Sequence, residues 1–577
     1  MCPEGQLHLL LFSSVASGVR NLSKLFDYLG YNFPHFSLVQ DYKLYVPSKG
    51  ADDGLKNACR QQILRVIRAG RYTELTDVNK AIQLMGRFFS EQLNESVRNS
   101  ACYQMIEFAL WQYEQAARID ALYLDGKLHE MELRLWSEYG PIIRRALKLL
   151  IEVTLMYPLD RFSDIPHNQL AVVMEQPYVS AISLVEFSIL SDQIYHLFPK
   201  SSAVEIFERG PQLYELESPV QKLFPHKDRM LRDANDRWEF ISCKPIELDI
   251  SEQSRLLTPA FQDAVGVSYS DALCALRSIN EHIAVIDNSF PIQAIHRTPL
   301  QNAICREFGW SQNATSRVID GFTLTPEAVG LNGRERWNSR VSERLLRKGF
   351  VQTSHRDGAV LMWSYSMAAE GIMRLAEGAT FQQFPSAWRT DNVNSKLGTI
   401  SRTAGKWLET VCQAELQKFG IQSIVSQKNS IGKGSAMLKI PDEIGELDVL
   451  AYSPDENLFL FLECKMLMAT NEPKAWKGEL DQFNNRKNGF NKKFAKKANW
   501  LKAHIVEVIA AMQSVNVIES DKTPAFIAEA IVTFYPSIAT HFDNDHQCLS
   551  VCELIRGYKE KSSFPGSLKQ LVTSRFD

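Results

Sequence analysis

The segment Leu458 to Lys465 reads LFLFLECK. Successive side chains of a strand point to opposite faces of its sheet, so five apolar residues in a row describe a strand covered on both sides. Covering both faces takes a layer of helices on each, and this commits the surrounding domain to an α/β sandwich. Upstream lies GELDVLAYS, a second strand, and the loop between them, Pro454 to Asn457 (PDEN), has a usual hairpin length. With Ser453 opposite Leu458, Tyr452 faces Phe459, Leu450 faces Phe461 and Asp448 faces Glu463. Directly opposed side chains sit about 5 Å apart at Cβ. Period two puts Lys465 on the same face as Glu463.

Two carboxylates opposed on a buried hairpin repel each other, and unpaired charge is expensive there. A divalent cation resolves the conflict. Mg2+ accepts one or two carboxylates, keeps several waters and leaves positions for phosphate oxygens. Lys465 alongside can orient a metal-bound water and stabilise negative charge in a transition state. The other reading is a purely ionic cluster, in which Glu446, opposite Lys465 in this register, pairs with it.

The elements around the hairpin have a readable order. SRTAGKWLETVCQAELQKFG is an amphipathic helix with Leu408, Val411, Cys412, Leu416 and Phe419 on one stripe and Gly420 to end it. IQSIVSQ is a short strand ahead of the hairpin. A basic helical region follows Lys465 through about Met512, then the buried strand AFIAEAIVTFYP, then QCLSVCELIRGY as a strand entering a helix.

Asp448, fourteen intervening residues and Glu463-Cys464-Lys465, in this setting, resemble the PD-(D/E)xK nuclease superfamily, the restriction-endonuclease-like fold. The resemblance covers roughly residues 390–577, with Leu447 standing where the Pro of the family name would be. It implies that Asp448 and Glu463 are metal ligands, Lys465 the catalytic lysine and the Cys464 carbonyl a further ligand. Gly405 and Glu409 match a Gly-x-x-x-Glu setting on the preceding helix, making Glu409 an extra ligand, with Glu415 the other acid of that helix able to reach the site. Gln482 matches an accessory position on the following helix, where an ordinary exposed glutamine is the other reading. The implied activity is Mg2+-dependent endonucleolytic hydrolysis of DNA, with Mn2+ able to substitute. Water attacks phosphorus in line with the leaving oxygen, in a protein of bacterial defence or DNA processing. An RNA-directed nuclease and a non-catalytic DNA-binding regulator using the fold as a platform stay open beside it.

From Lys465 to Lys502 there are ten Lys or Arg against three acids. Phe490, Phe494 and Leu501 recur at helical spacing and face inward, which leaves Lys487, Lys492, Lys493, Lys496 and Lys497 for solvent and phosphate contact. Two other motifs carry less. IGKGS, Ile431 to Ser435, lacks the upstream glycine and following helix of a phosphate loop and reads as a connection between strands. His541, His546, Cys548 and Cys552 fit no common zinc spacing, and both cysteines fall on the buried last strand.

The remainder divides into a helical scaffold or partner-binding domain, 1–200, and a mixed region, 201–389. LTDVNKAIQLMGRFFSEQL and GPIIRRALKLLIEVTLMYPL carry helical spacing, while ERGPQ and DANDRWEF signal turns. In Thr298–Phe322, Thr298 can cap a helix begun by Pro299, Gly309 breaks it, and Ser311 caps a second. Ile304, Phe308, Trp310 and Val318 sit as in the core of a helix-turn-helix, with Gln312, Asn313, Ser316 and Arg317 outward. Plain helical packing gives the same pattern. Two strands around HRDG and the helix SYSMAAEGIMRLAEG follow, and FQQFPSAWRTDNVNSK marks a boundary. The net charge of −3 excludes a uniformly basic nucleic-acid binder. No apolar run is expected to cross a bilayer. MCPEGQLHLLLFSSVASG lacks a basic lead and reads as a buried strand entering a helix rather than a signal peptide. Ten cysteines without paired spacing suit a reducing cytoplasm. Partners expected are nucleic acid and, through the helical region, a protein or a second copy of the chain.

Overall fold

The computed structural model describes residues 36–39, 42–159, 167–210, 212–219, 223–240, 250–286, 292–330, 344–345, 347–355, 358–469, 473–542 and 546–571. The expected opening strand and helix, and residues 356–357 of the HRDG turn, lie outside them. The chain forms two compact units, residues 1–217 with 250–397 and residues 218–249 with 398–577. This differs from the three blocks drawn from sequence. The helical scaffold and the mixed region share one hydrophobic core, in which Phe89, Phe108 and Tyr178 belong to the same cluster as Ile292, Val351, Met362 and Met367. Polar ties join the same two regions: the Tyr113 hydroxyl donates to Glu370 at 2.5 Å and the Ser366 amide to Glu114 at 2.8 Å.

In the first unit, the helical spacing at 75–93 and 140–159 becomes the helices Leu75–Ser100 and Glu130–Thr154, the latter starting ten residues early with Pro141 inside it. The stretch Gln169–Leu197 is, by length and composition, apolar enough to span a bilayer, against expectation. Its mean hydropathy survives scattered polar residues, and Leu170, Met174, Tyr178, Leu184 and Phe187 are buried in the core. A four-stranded sheet runs Ile292–His296, Gly358–Ser364, Phe350–His355, Thr323–Leu324. The paired helices at 298–322 are present as Arg297–Phe308 and Gln312–Phe322, joined by Gly309 in the left-handed conformation and capped by Ser311. The first helix begins at Arg297 rather than after a Thr298 cap. Ile304 and Val318 are buried, while Phe308 and Trp310 are half-buried and pack on each other at 5.0 Å. Gln312 and Asn313 are exposed; Ser316 accepts from Arg297, and Arg317 donates to the Ala264 carbonyl.

The second unit contains α1 (Phe224–Phe240), α2 (Asp391–Gln417, entering from the first unit), β1 (Gln422–Gln427), β2 (Leu447–Ser453), β3 (Leu458–Lys465), α3 (Pro473–Asn484), α4 (Phe490–Ala503), α5 (Ile505–Ser514), β4 (Phe526–Thr533), β5 (Gln547–Ser550) and α6 (Val551–Lys561). The sheet order is β1-β2-β3-β4-β5, with Lys569–Gln570 added beside the start of β4. β2 pairs antiparallel with β1 on one side and β3 on the other, whereas β4 and β5 run parallel to β3. The hairpin register is the expected one, with Ser453 opposite Leu458, Tyr452 opposite Phe459 and Leu450 opposite Phe461. Asn457 closes the turn at φ 49°, and its side chain accepts from the Tyr452 hydroxyl at 3.0 Å.

The alternation of β3 sorts its residues onto two helical layers. Leu458, Leu460, Leu462 and Cys464 join Leu408, Val411, Cys412 and Leu416 of α2 and Leu554 and Ile555 of α6 in one core. Phe461, on the other face, stacks on Phe494 of α4 at 4.9 Å. The segment read as a turn, DANDRWEF, is instead the end of α1. Asp233 accepts from Ser550 Oγ at 2.7 Å and pairs with Arg237, which lies over the Tyr535 ring at 4.0 Å. Its polar residues are partners for buried groups, so its composition resembled a solvated loop.

Candidate active site

Lys465, Thr533 and Ser550 lie side by side where β3, β4 and β5 end. At this carboxyl edge of the sheet, Asp448 and Glu463 are buried, with 7% and 3% exposure. The hairpin ladder runs as far as Val449 opposite Leu462, one step short of them. The Asp448 carboxylate bridges that step by accepting the Cys464 amide at 2.8 Å.

Two ammonium groups lie between the carboxylates. Lys465 Nζ is 2.7 Å from Glu463 Oε1, 3.4 Å from Asp448 Oδ2 and 3.0 Å from the Cys464 carbonyl oxygen. Lys497 Nζ is 2.6 Å from Glu463 Oε2 and 3.6 Å from Asp448 Oδ1. Burial alone would raise the Glu463 pKa, but Lys465 and Lys497 outweigh it and hold the carboxyl below its ordinary range. Burial and then repulsion from Glu463 push Asp448 up, with the more distant lysines only partly offsetting them. Burial would lower the Lys465 pKa, and the carboxylates of Glu463 and Asp448 overcome it and raise it. Lys465 therefore holds its proton and serves as a fixed positive charge.

Glu409 of α2 reaches the same neighbourhood from the far side of β2. Its carboxylate accepts from Ser426 Oγ. Ser426 has φ 55°, and the β1–β2 ladder passes over it opposite Asp448, between Val425–Val449 and Gln427–Leu447. Burial, with added repulsion from Asp448 and Glu446, raises the Glu409 pKa to about 7 against the lowering effect of the Ser426 hydrogen bond. Glu415 is also buried, but it pairs with Lys418 on its own helix. Glu446 is half-buried and, among the described residues, is not one of the hydrogen-bond partners of Lys465. Gln482 is exposed on α3, and no hydrogen bond among the described residues joins it to the cluster. Beneath the site, the Cys464 and Cys412 thiols are 3.8 Å apart, and their contact, with burial, raises the Cys464 pKa.

Of the five residues expected to face solvent for phosphate contact, Lys487, Lys492, Lys493 and Lys496 are exposed. Lys492 and Lys496 donate to the Arg486 and Glu443 carbonyls, at 3.0 and 2.8 Å. Lys497 differs, being buried against the carboxylates. It follows Phe490 by seven residues and Phe494 by three, so it occupies the inward stripe of α4 that continues to Leu501. That spacing was the available signal for it, whereas Ser426 carried none. IGKGS begins at the last residue of the two-residue strand Ser430–Ile431 and runs into a short 3-10 turn, Gly434–Ala436, with the Lys433 amide donating to Ser514 Oγ at 2.8 Å. Cys548 lies on β5, but Cys552 lies on α6 rather than on the strand, because Ser550 ends the strand and caps that helix.

Among the described residues no three His, Cys, Asp or Glu side chains close around a common metal position. The oxygen donors at hand are the carboxylates of Asp448 and Glu463 and the Cys464 carbonyl, with Glu409 nearby. That set fits a hard cation such as Mg2+, which needs only one or two carboxylates and completes its shell with water. Comparisons with family models, with curated proteins and with solved structures gave no match.

Proposed function

We propose that the C-terminal unit is a metal-dependent phosphodiesterase of the PD-(D/E)xK kind that cleaves DNA. The observation that carries this reading is the pair of buried carboxylates from adjacent strands, sharing lysine ammonium groups at the carboxyl edge of a mixed sheet. The surrounding order of helix, three antiparallel strands, helices and parallel strands supports it. Asp448, Glu463 and the Cys464 carbonyl would hold Mg2+ or Mn2+, with Glu409 as the outlying ligand. The ion supplies charge neutralisation at the phosphate and an acidified water.

The chain's own residues do the rest. Lys465, clamped by Glu463, Asp448 and the Cys464 carbonyl, presents a fixed positive charge where a phosphate would accumulate negative charge. Lys487, Lys492, Lys493 and Lys496 form a basic outer surface beside it that suits a phosphate backbone of either DNA or RNA. The helical unit would recognise, position or regulate, through a protein partner or a second copy, in a cytoplasmic protein of defence or DNA processing.

Charge balance favours a second reading, since two carboxylates facing two ammonium groups are already neutral without an ion. The unit would then be a binding platform. Incubating the protein with plasmid, linear and single-stranded DNA and with RNA, in Mg2+ or EDTA, separates the two. An enzyme cleaves only with Mg2+ and loses activity in Asp448→Ala and Lys465→Ala. A platform binds nucleic acid, cleaves nothing and tolerates both changes.

A further inference from the structure

Lys465 and Lys497 divide the carboxylate oxygens evenly. Lys465 faces Glu463 Oε1 and Asp448 Oδ2, whereas Lys497 faces Glu463 Oε2 and Asp448 Oδ1. Any cation bridging the two acids must therefore take oxygens that an ammonium group now faces.

The two lysines are not equivalent. Lys465 belongs to β3 itself, and its Nζ is also held by the Cys464 carbonyl and lies 5.7 Å from the Phe490 ring centre. Lys497 arrives from α4, on a four-carbon stem, and its hydrogen-bond and ion-pair partners among the described residues are the two carboxylates. α4 is anchored independently of it, by Phe494 stacked on Phe461 and by the buried Leu501. Lys497 can leave while its helix stays, and the turn leading up to it carries the exposed Lys493 and Lys496.

Resting on the metal-site reading above, we propose that Lys497 is a built-in counter-cation: it neutralises Asp448 and Glu463 in the ion-free protein and is displaced when a divalent cation binds. Lys497 thus competes with the metal, and its release adds a positive charge near the phosphate-facing lysines of α4. A charge-assisted hydrogen bond that must be broken on binding weakens apparent metal affinity by about tenfold or more.

The test is Mn2+ titration of the full chain, followed by electron paramagnetic resonance of free Mn2+ and by calorimetry. It uses the wild type, Lys497→Met, Lys497→Gln and Asp448→Asn. Melting in EDTA reports that each variant is folded, and the same melts with added Mn2+ give a second measure of affinity, because a ligand of the folded state raises the melting temperature in proportion to its occupancy. The expected result is about tenfold tighter Mn2+ binding by both Lys497 variants, a larger Mn2+-induced rise in melting temperature, and loss of binding in Asp448→Asn. Equal or weaker binding by both Lys497 variants beside a wild type that binds Mn2+ overturns the counter-cation role and leaves the metal site standing. Absence of Mn2+ binding in every variant, folded by the EDTA melts, overturns the metal-site reading and the counter-cation with it.

Discussion

Glu463→Gln tests the electrostatic core of the site without reference to catalysis. The Glu463 side chain is 4% exposed and accepts both lysines, at 2.7 and 2.6 Å. A glutamine keeps one oxygen for one ammonium group and turns an N–H2 donor toward the other. Two buried positive charges are then left to share Asp448, from 3.4 and 3.6 Å. Removing one partner of a buried ion pair costs about 3–5 kcal/mol. Lys465 and Lys497 keep 21% and 11% side-chain exposure, so water softens the loss toward the low end, about 3 kcal/mol. For a unit of this size that corresponds to a melting-temperature drop of roughly 6–12 °C. Hydrogen–deuterium exchange of peptides covering 447–465, in EDTA, reads the effect locally. Adding Lys497→Met restores the balance of one acid to one lysine, so the double variant recovers more than about 1 kcal/mol relative to the sum of the singles. A Glu463→Gln protein within about 0.5 kcal/mol of wild type, or a strictly additive cycle, would refute the reasoning. Because the lysines depress the Glu463 pKa, its contribution is present above the ordinary glutamate range and lost as pH falls below it, and Glu463→Gln removes that acid-side decline.

Glu479 of α3 provides a pH test away from the site. Burial raises its pKa to about 7, against the lowering effect of hydrogen bonds from Ser537 Oγ and the Ile538 amide. The folded state then binds the extra proton between about 4.5 and about 7, so this group's contribution declines as pH rises through that window and is level above it. Glu479→Gln keeps the acceptor, flattens the decline and leaves the variant more stable at pH 8 by about 2 kcal/mol in urea denaturation, where an unchanged pH profile counts against the assignment. Arg229 ties α1 to Glu553 of α6, at 2.6 Å, and to the Ser537 carbonyl, at 3.2 Å. Arg229→Met leaves the half-buried Glu553 carboxylate without its guanidinium, and at about 2 kcal/mol it should open 224–240 to limited proteolysis, whereas unchanged protection there would place α1 outside the C-terminal unit's stability.

The hairpin and its register were legible because two independent signals agreed: a doubly apolar strand with one buried solution, and a four-residue turn that fixes the pairing. Asp448, Glu463 and Lys465 came with them, since period two leaves no freedom about which side chains share a face. Lys497 was illegible by composition, as one lysine among many, and only its spacing from Phe490 and Phe494 marks it as inward. Ser426 was invisible because its role comes from a left-handed backbone conformation within β1, opposite Asp448. α1 was misread because Asp233 and Arg237 satisfy buried partners that the sequence supplies only far downstream, at Ser550 and Tyr535. The same long range hid the shared core that unites 42–217 with 250–397.

The most direct measurement is cleavage of supercoiled plasmid by the full chain, with Asp448→Ala and Lys465→Ala alongside. The account predicts nicking or linearisation in Mg2+ or Mn2+, none in EDTA, and loss of activity in both variants despite normal folding. Cleavage that persists in both variants, or a folded wild type that binds DNA and metal yet leaves DNA and RNA intact, would contradict it.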